Sequence, residues 1–228
     1  MTITTEPLSR VQQLLLQRLM AAHCMEDKAA KELLTEIHGL MSQMDTQDGS
    51  QLQAQDSPQS QSLEECFADI NQQLTKGFGL EIATVVLDRK KYHSIINSHA
   101  DEVSKLSFDK HFDAHDRQFI LLIIQYLVEK HPSVTGEDFS GVPRKDLYNL
   151  RGDLQEPYKL TLNAAEHVVE SLIQQQWLRV NNDDDDDRRS SMQANLELAP
   201  RSYLELSHLL VDMGVSQDDL PQFLFHRL

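Results

Sequence analysis

Apolar residues recur along this chain at two spacings, and the change from one to the other happens twice. Val11, Leu14, Leu15 and Leu19, with Arg18, share one face at the i, i+3, i+4, i+7 spacing, which predicts a helix over Leu8–Ala22. Ala30, Leu33, Leu34 and Ile37 repeat that pattern over Glu26–Leu40. A third amphipathic run opens at Ser62, with Glu65 three residues on, and continues through Leu74. A hydroxyl followed three positions later by a carboxylate can satisfy the free N–H groups of a first helical turn reciprocally. Beyond it, Leu80–Leu87 and Tyr92–Asn97 read as strands around the polar stretch Asp88–Lys91. The order then returns, with helices over Asp113–His131 and Phe139–Leu154 and a short strand over Lys159–Leu162. A further helix opens at Asn163, with Glu166 three on, and its inward stripe is Ala165, Val168, Val169, Leu172 and Ile173. It runs through Trp177 into strands Leu178–Asn181 and Ala194–Leu198 around an Asp/Arg/Ser loop. A closing helix over Pro200–Met213 follows, and then an apolar stretch, Pro221–Leu228.

A helix followed by a two-stranded wing is the back half of a winged helix. Two copies predict a mainly α fold with small β wings, built as two tandem winged-helix domains. The first takes residues 1–108, the second 109–215, and 216–228 form an apolar tail. Within the first, Ser42–Gln61 holds seven Gln and four Ser in twenty residues, too few apolar groups to order it, and reads as a flexible insertion. Asp101–Phe108 reads as a connector. The centre of the Asp113 helix, Phe119 to Ile124, is apolar all round, which predicts burial on two sides: under its own domain, and against the first domain or a partner.

Length and charge narrow the function. The 228 residues suit two small domains, and 40% hydrophobic content is ample for their cores. A net charge of −15 argues against broad adhesion to DNA or anionic membrane, which needs clustered Lys and Arg. Cys24 and Cys66 are the only cysteines, too few for a disulfide framework or zinc finger, and read as buried reduced thiols. There is neither a secretory signal nor an apolar run of membrane-spanning length, so a soluble intracellular protein is expected.

The candidate chemistry is sparse. A DNA-reading winged helix presents Arg, Lys, Asn or Gln on its third helix. From Asn163 to Gln176 there is no Lys or Arg, Glu166 and Glu170 would face phosphate, and Asp183–Asp187 puts five carboxylates in the wing. The first wing does carry Arg89, Lys90 and Lys91, a candidate DNA contact or simply a solvated turn that guards a sheet edge. His111 and His115, beside Asp113 and Asp116, have the spacing of two metal ligands without a third, and read as polar residues of a helix entry. The acidic run lacks the alternating ligands and central Gly of a calcium loop. No phosphate-cradling Gly loop or nucleophile–base pair stands out, so no catalytic residue and no metal site is assigned.

The chain resembles the non-SMC element 1 family, subunits of the SMC complex of the five/six type. The resemblance is carried by Val11–Met20, by Leu63–Asn71 before Gly79–Ile82, and by Tyr92–Asn97 followed by Asp101–Leu106. It continues through Ala165-Glu166 to Trp177-Leu178 and Leu196–Leu206, so it spans most of the chain in order. It implies two winged helices embracing a MAGE-type winged-helix subunit, in a nuclear complex that serves DNA repair and chromosome maintenance. It also implies a C-terminal RING-like zinc domain supporting ubiquitin ligase activity, expected to begin near residue 222 with a Cys-x-x-Cys pair. Here Phe223–Leu228 stands in that place and no cysteine follows Cys66, so zinc is expected only in a domain outside this chain.

The leading expectation is a scaffold that docks the MAGE-type partner through apolar surface. The candidate residues are Phe119, Leu121 and Ile124 in the helix and Phe223, Leu224 and Phe225 in an uncovered tail. DNA would be met mainly through the complex, with no membrane and no small-molecule substrate. The alternatives are the front half of a RING-type ubiquitin ligase, and a DNA-binding module using Arg89, Lys90 and Lys91.

Overall fold

The computed structural model describes residues 7–47, 61–97, 112–130, 141–181 and 194–225. The chain divides into two units, Met1–His99 with Phe223–Leu228, and Ala100–Gln222. Both are winged helices, and the fold is mainly helical with small antiparallel sheets.

The first unit runs α1 (Arg10–Ala22), β1 (Cys24–Glu26), α2 (Asp27–Gln47), α3 (Leu63–Phe78), β2 (Leu80–Leu87) and β3 (Lys90–Asn97). Its core joins the predicted stripes: Leu15 and Leu19 from α1, Leu34 and Ile37 from α2, and Phe67, Ile70 and Leu74 from α3. The Ser62 box is present, with the Ser62 N–H donating to Glu65 Oε2 at 2.8 Å and the Glu65 N–H to Ser62 Oγ at 3.2 Å. A second box, Ser9 with Gln12, opens α1 and sets its start two residues inside the predicted one. At the other end of α3, Gly79 adopts a left-handed φ of 64°, a conformation with no side-chain penalty for glycine.

The structure corrects three expectations here. α2 continues to Gln47, so the Gln/Ser-rich insertion begins inside a helix, and its residues 48–60 lie outside the described ones. The turn of the first wing has two residues, not four. Asp88 and Arg89 take φ of 50° and 61°, the geometry of a tight hairpin turn, so Lys90 pairs with Leu87 and Lys91 with Val86 as strand residues. Strand β1 was not expected, because three residues give no readable periodicity; it pairs Cys24, Met25 and Glu26 with Ser94, His93 and Tyr92.

The first sheet has the order β1-β3-β2-β7, where β7 is Gln222–Phe225. The apolar tail is therefore a strand beside β2, with Phe223 and Leu224 half-buried, rather than an uncovered end.

The second unit repeats the plan as α4 (Ala114–Lys130), β4 (Val142–Pro143), α5 (Arg144–Asn149), α6 (Leu162–Gln174), β5 (Leu178–Val180), β6 (Asn195–Leu198) and α7 (Pro200–Asp212). A 3-10 turn, Leu150–Asp153, extends α5. The sheet order is β4-β6-β5, so the third strand comes from Val142–Pro143. The strand expected over Lys159–Leu162 is not formed: residues 158–161 are irregular and Leu162 already belongs to α6. The helix cap is Thr161, whose Oγ1 accepts from the Ala164 N–H at 3.2 Å, two residues before the expected Asn163. Gly141 shapes the entry to β4 at φ +74°, where a Cβ would stand 3.0 Å from the Leu196 carbonyl oxygen. The connector 101–108 and the acidic run 183–187 lie outside the described residues.

Candidate partner interface

In a winged helix the third helix is the usual reading surface, so α3 and α6 decide what either unit can meet. α3 exposes Glu64, Glu65, Gln72, Lys76 and Phe78, and Phe78 is 75% exposed. Its carboxylates are partly engaged: Glu65 closes the cap, whose Ser62 hydrogen bonds hold its carboxyl below the usual range, and Glu64 faces Lys31 at 3.9 Å. α6 exposes Leu162, at 43%, with Asn163 and His167. Its Glu170, with the side chain 43% exposed, accepts from the buried Arg144 at 2.8 Å and from the Tyr148 hydroxyl at 3.3 Å. Burial, with Glu170 nearby, pushes the Tyr148 hydroxyl above its ordinary range. Neither helix presents the row of cations that phosphate requires.

The first wing tip is thinner in charge than its sequence. Lys90 Nζ lies 3.3 Å from Glu26 Oε2 on β1, so that cation is paired, and Arg89 and Lys91 have exposed side chains.

Among the candidate metal ligands, Asp113 is a helix cap. Its Oδ1 accepts from the N–H groups of His115 (2.7 Å) and Asp116 (2.9 Å), and Asp116 Oδ2 accepts from the Asp113 N–H. His115 stands edge-on to Tyr158, with centroids 5.7 Å apart, and His111 lies outside the described residues. Cys24 and Cys66 are buried and are not joined in a disulfide. Burial and the nearby Asp69 and Glu65 carboxylates push the Cys66 thiol up to about 11, the wrong direction for a thiolate zinc ligand. Among the described residues no group of three or more His, Cys, Asp and Glu could hold a metal, so these residues do not fit a zinc site.

The apolar candidates separate by burial. Phe119 is fully buried and Ile124 is 4% exposed, so neither is surface. Ile124 lines the apolar centre of the second unit with Leu172, Trp177 and Leu206. Leu121 is half-buried, as are Phe223 and Leu224 in β7; the Phe225 side chain lies outside the described residues. The sequence reading missed Leu40 and Met44, 51% and 56% exposed one turn apart on α2. Periodicity alone could not have found them, since they continue the inward stripe from Ile37 at i+3 and i+7 and yet are exposed.

Two buried polar networks fix these surfaces in place. In the first unit His93, 2% exposed, bonds Thr84 Oγ1 through Nδ1 at 2.7 Å and Asp27 Oδ1 through Nε2 at 3.1 Å, with Phe67 edge-on at 4.9 Å. Asp27, the first residue of α2, also meets Lys31 at 2.9 Å. In the second unit the Arg201 guanidinium lies 4.1 Å over the Trp177 ring and donates to Glu205 (2.7 Å) and the Gln175 carbonyl (2.6 Å). Ser202 Oγ donates to the Trp177 carbonyl at 2.6 Å, which pins the start of α7 to the turn after α6.

This two-fold winged-helix plan has a counterpart in sequence: the profile of the family described as Nse1 non-SMC component of SMC5-6 complex matches residues 12–206. The chain belongs to this family. A chain of a solved Nse1-Nse3-Nse4 complex has a similar fold, with a TM-score of 0.60 at 16% identity, covering 90% of this chain and 74% of that chain. No curated protein sequence matches. Among the described residues no helix is long and apolar enough to cross a membrane.

Proposed function

We propose that this chain is the Nse1-type scaffold subunit of an SMC5-6 complex, docking an Nse3-type (MAGE) winged-helix partner in a nuclear assembly that maintains chromosomes and repairs DNA. The observation that carries this reading is the character of the two third helices. They present carboxylates and isolated apolar side chains, Phe78 and Leu162, where a DNA reader carries cations. Apolar anchors within polar surroundings suit a protein partner. Leu121, Leu40 and Met44 are further apolar positions this partner can cover, whereas Phe119 and Ile124 support the fold from within. DNA is met mainly through the rest of the complex. A RING-type ubiquitin ligase activity would need a zinc module, and none is assigned to these residues.

Co-expression of the full chain with a MAGE-type subunit, followed by size-exclusion chromatography with light scattering, tests the proposal. A stable one-to-one complex is expected. Phe78→Asp and Leu162→Asp together should weaken it about tenfold or more, the scale of losing exposed apolar anchors. Separate elution of the two wild-type chains would overturn the reading.

A further inference from the structure

The two-residue turn of the first wing determines which backbone groups of β2 face β3. Residues flanking such a turn, Leu87 and Lys90, exchange hydrogen bonds, and bonded and non-bonded pairs alternate from there. Leu87, Val85, Ala83 and Glu81 therefore bond to β3. Val86, Thr84 and Ile82 turn their N–H and C=O to the opposite edge. Asn71 agrees with this assignment: from α3 its side chain takes both outward groups of Ile82, accepting from the N–H at 2.6 Å and donating to the C=O at 2.9 Å. An amide side chain thus closes one end of the edge as a neighbouring strand would. The rest of it, at Thr84 and Val86, faces the side where β7 lies.

β7 is held less deeply than the strands it joins. It has four residues against eight in β2 and in β3, and Phe223 and Leu224 are only half-buried while Ile82, Val85 and Ile96 are buried. Pro221, just before it, has no N–H to extend the ladder. A short, half-buried edge strand opens at lower free energy than the pair it borders.

We propose that the outer edge of β2 is a strand-docking site whose resident occupant is Gln222–Phe225. When that strand lifts, the edge takes the same Gln-Phe-Leu-Phe segment in trans, from a second copy of the chain. Main-chain bonds to Thr84 and Val86 supply the affinity, and the alternating side chains of the segment supply the selectivity. This inference is independent of the partner proposed above.

The test uses the full chain carrying Phe223→Pro and Leu224→Pro. Adjacent strand residues point their N–H groups to opposite sides, so one of the two prolines removes a ladder donor whichever register β7 adopts. Amide hydrogen exchange at Thr84 and Val86 should rise about tenfold or more while β3 is unchanged. A fluorescent peptide of residues 220–228 should bind the variant about tenfold or more tightly than the wild type and restore protection at both amides. Unchanged exchange, equal binding to both chains, or binding without restored protection would overturn the proposal. If the variant loses its far-ultraviolet circular dichroism, the wild type decides. There, exchange at Phe223–Phe225 about tenfold or more faster than at Tyr92–Ile96 supports an exchangeable strand, and equal rates overturn it.

Discussion

Asn71→Ala in the first unit removes one side chain and exposes two faults together. Asn71 is 4% exposed and Ile82 is fully buried, so neither the N–H nor the C=O of Ile82 can turn to water without local opening. A neutral hydrogen bond contributes about 1 kcal/mol net, and a buried group left unsatisfied costs about 1–3 kcal/mol. With two groups affected, the first unit should lose about 2–5 kcal/mol. For a domain of this size that lowers Tm by at least about 10 °C. Asn71→Leu fills the space but makes neither bond, so it should lose nearly as much; Asn71→Asp keeps an acceptor for the N–H and should fall between. Urea unfolding can be followed by circular dichroism, which reads both units, and by fluorescence of Trp177, the only tryptophan, which reads the second. A loss below about 1 kcal/mol in both Asn71→Ala and Asn71→Leu would refute the strand-mimic reading.

Three further outcomes are expected. Arg201→Ala removes the stack on Trp177 and two hydrogen bonds, should destabilise the second unit by about 2–4 kcal/mol, and should shift Trp177 emission; fluorescence-detected urea unfolding checks this. Gly141→Ala must adopt a positive φ and push against Leu196 and Asn195, with an expected loss of about 1–3 kcal/mol in the same assay. Burial alone would raise the Asp27 carboxyl, but hydrogen bonds from Lys31 and His93 outweigh it and hold the carboxyl below its ordinary 3.8. A depressed folded value means the stabilisation is complete above the unfolded value and fades as pH falls through the folded one. The first unit should therefore weaken below about pH 4, and Asp27→Asn should flatten that slope in acid titrations followed by circular dichroism.

What could be read from the sequence depended on the length of the pattern. The Ser62–Glu65 box, the inward stripes of α1, α2 and α3, and the span of β2 were legible because each repeats over two turns or several residues. Strands β1 and β4 were not, since three and two residues carry no period and form only because β3 and β6 offer them ladder partners. The all-round apolar helix α4 was legible as one that needs burial, but periodicity gave its residues no address: Phe119 and Ile124, read as candidate partner surface, are buried within the second unit along with Ile120 and Ile123. Within each unit, some of the segments that carried the family resemblance meet: Asn71 bonds Ile82 in the first, and Arg201 and Ser202 hold Trp177 in the second, contacts that no spacing along the chain could reveal.

The Thr84–His93–Asp27 chain has a mechanical side. Asp27 is the first residue of α2, and Met44 lies seventeen residues on, about 25 Å along the axis at 1.5 Å per residue. The helix is gripped again along that length, by Ala30, Leu34 and Ile37 in the core and by Met41 packed against it. Leu40 and Met44 therefore ride on a rod held both at its start and beyond its middle. Substitutions around His93 that leave this core packed should leave the aim of that exposed pair unchanged.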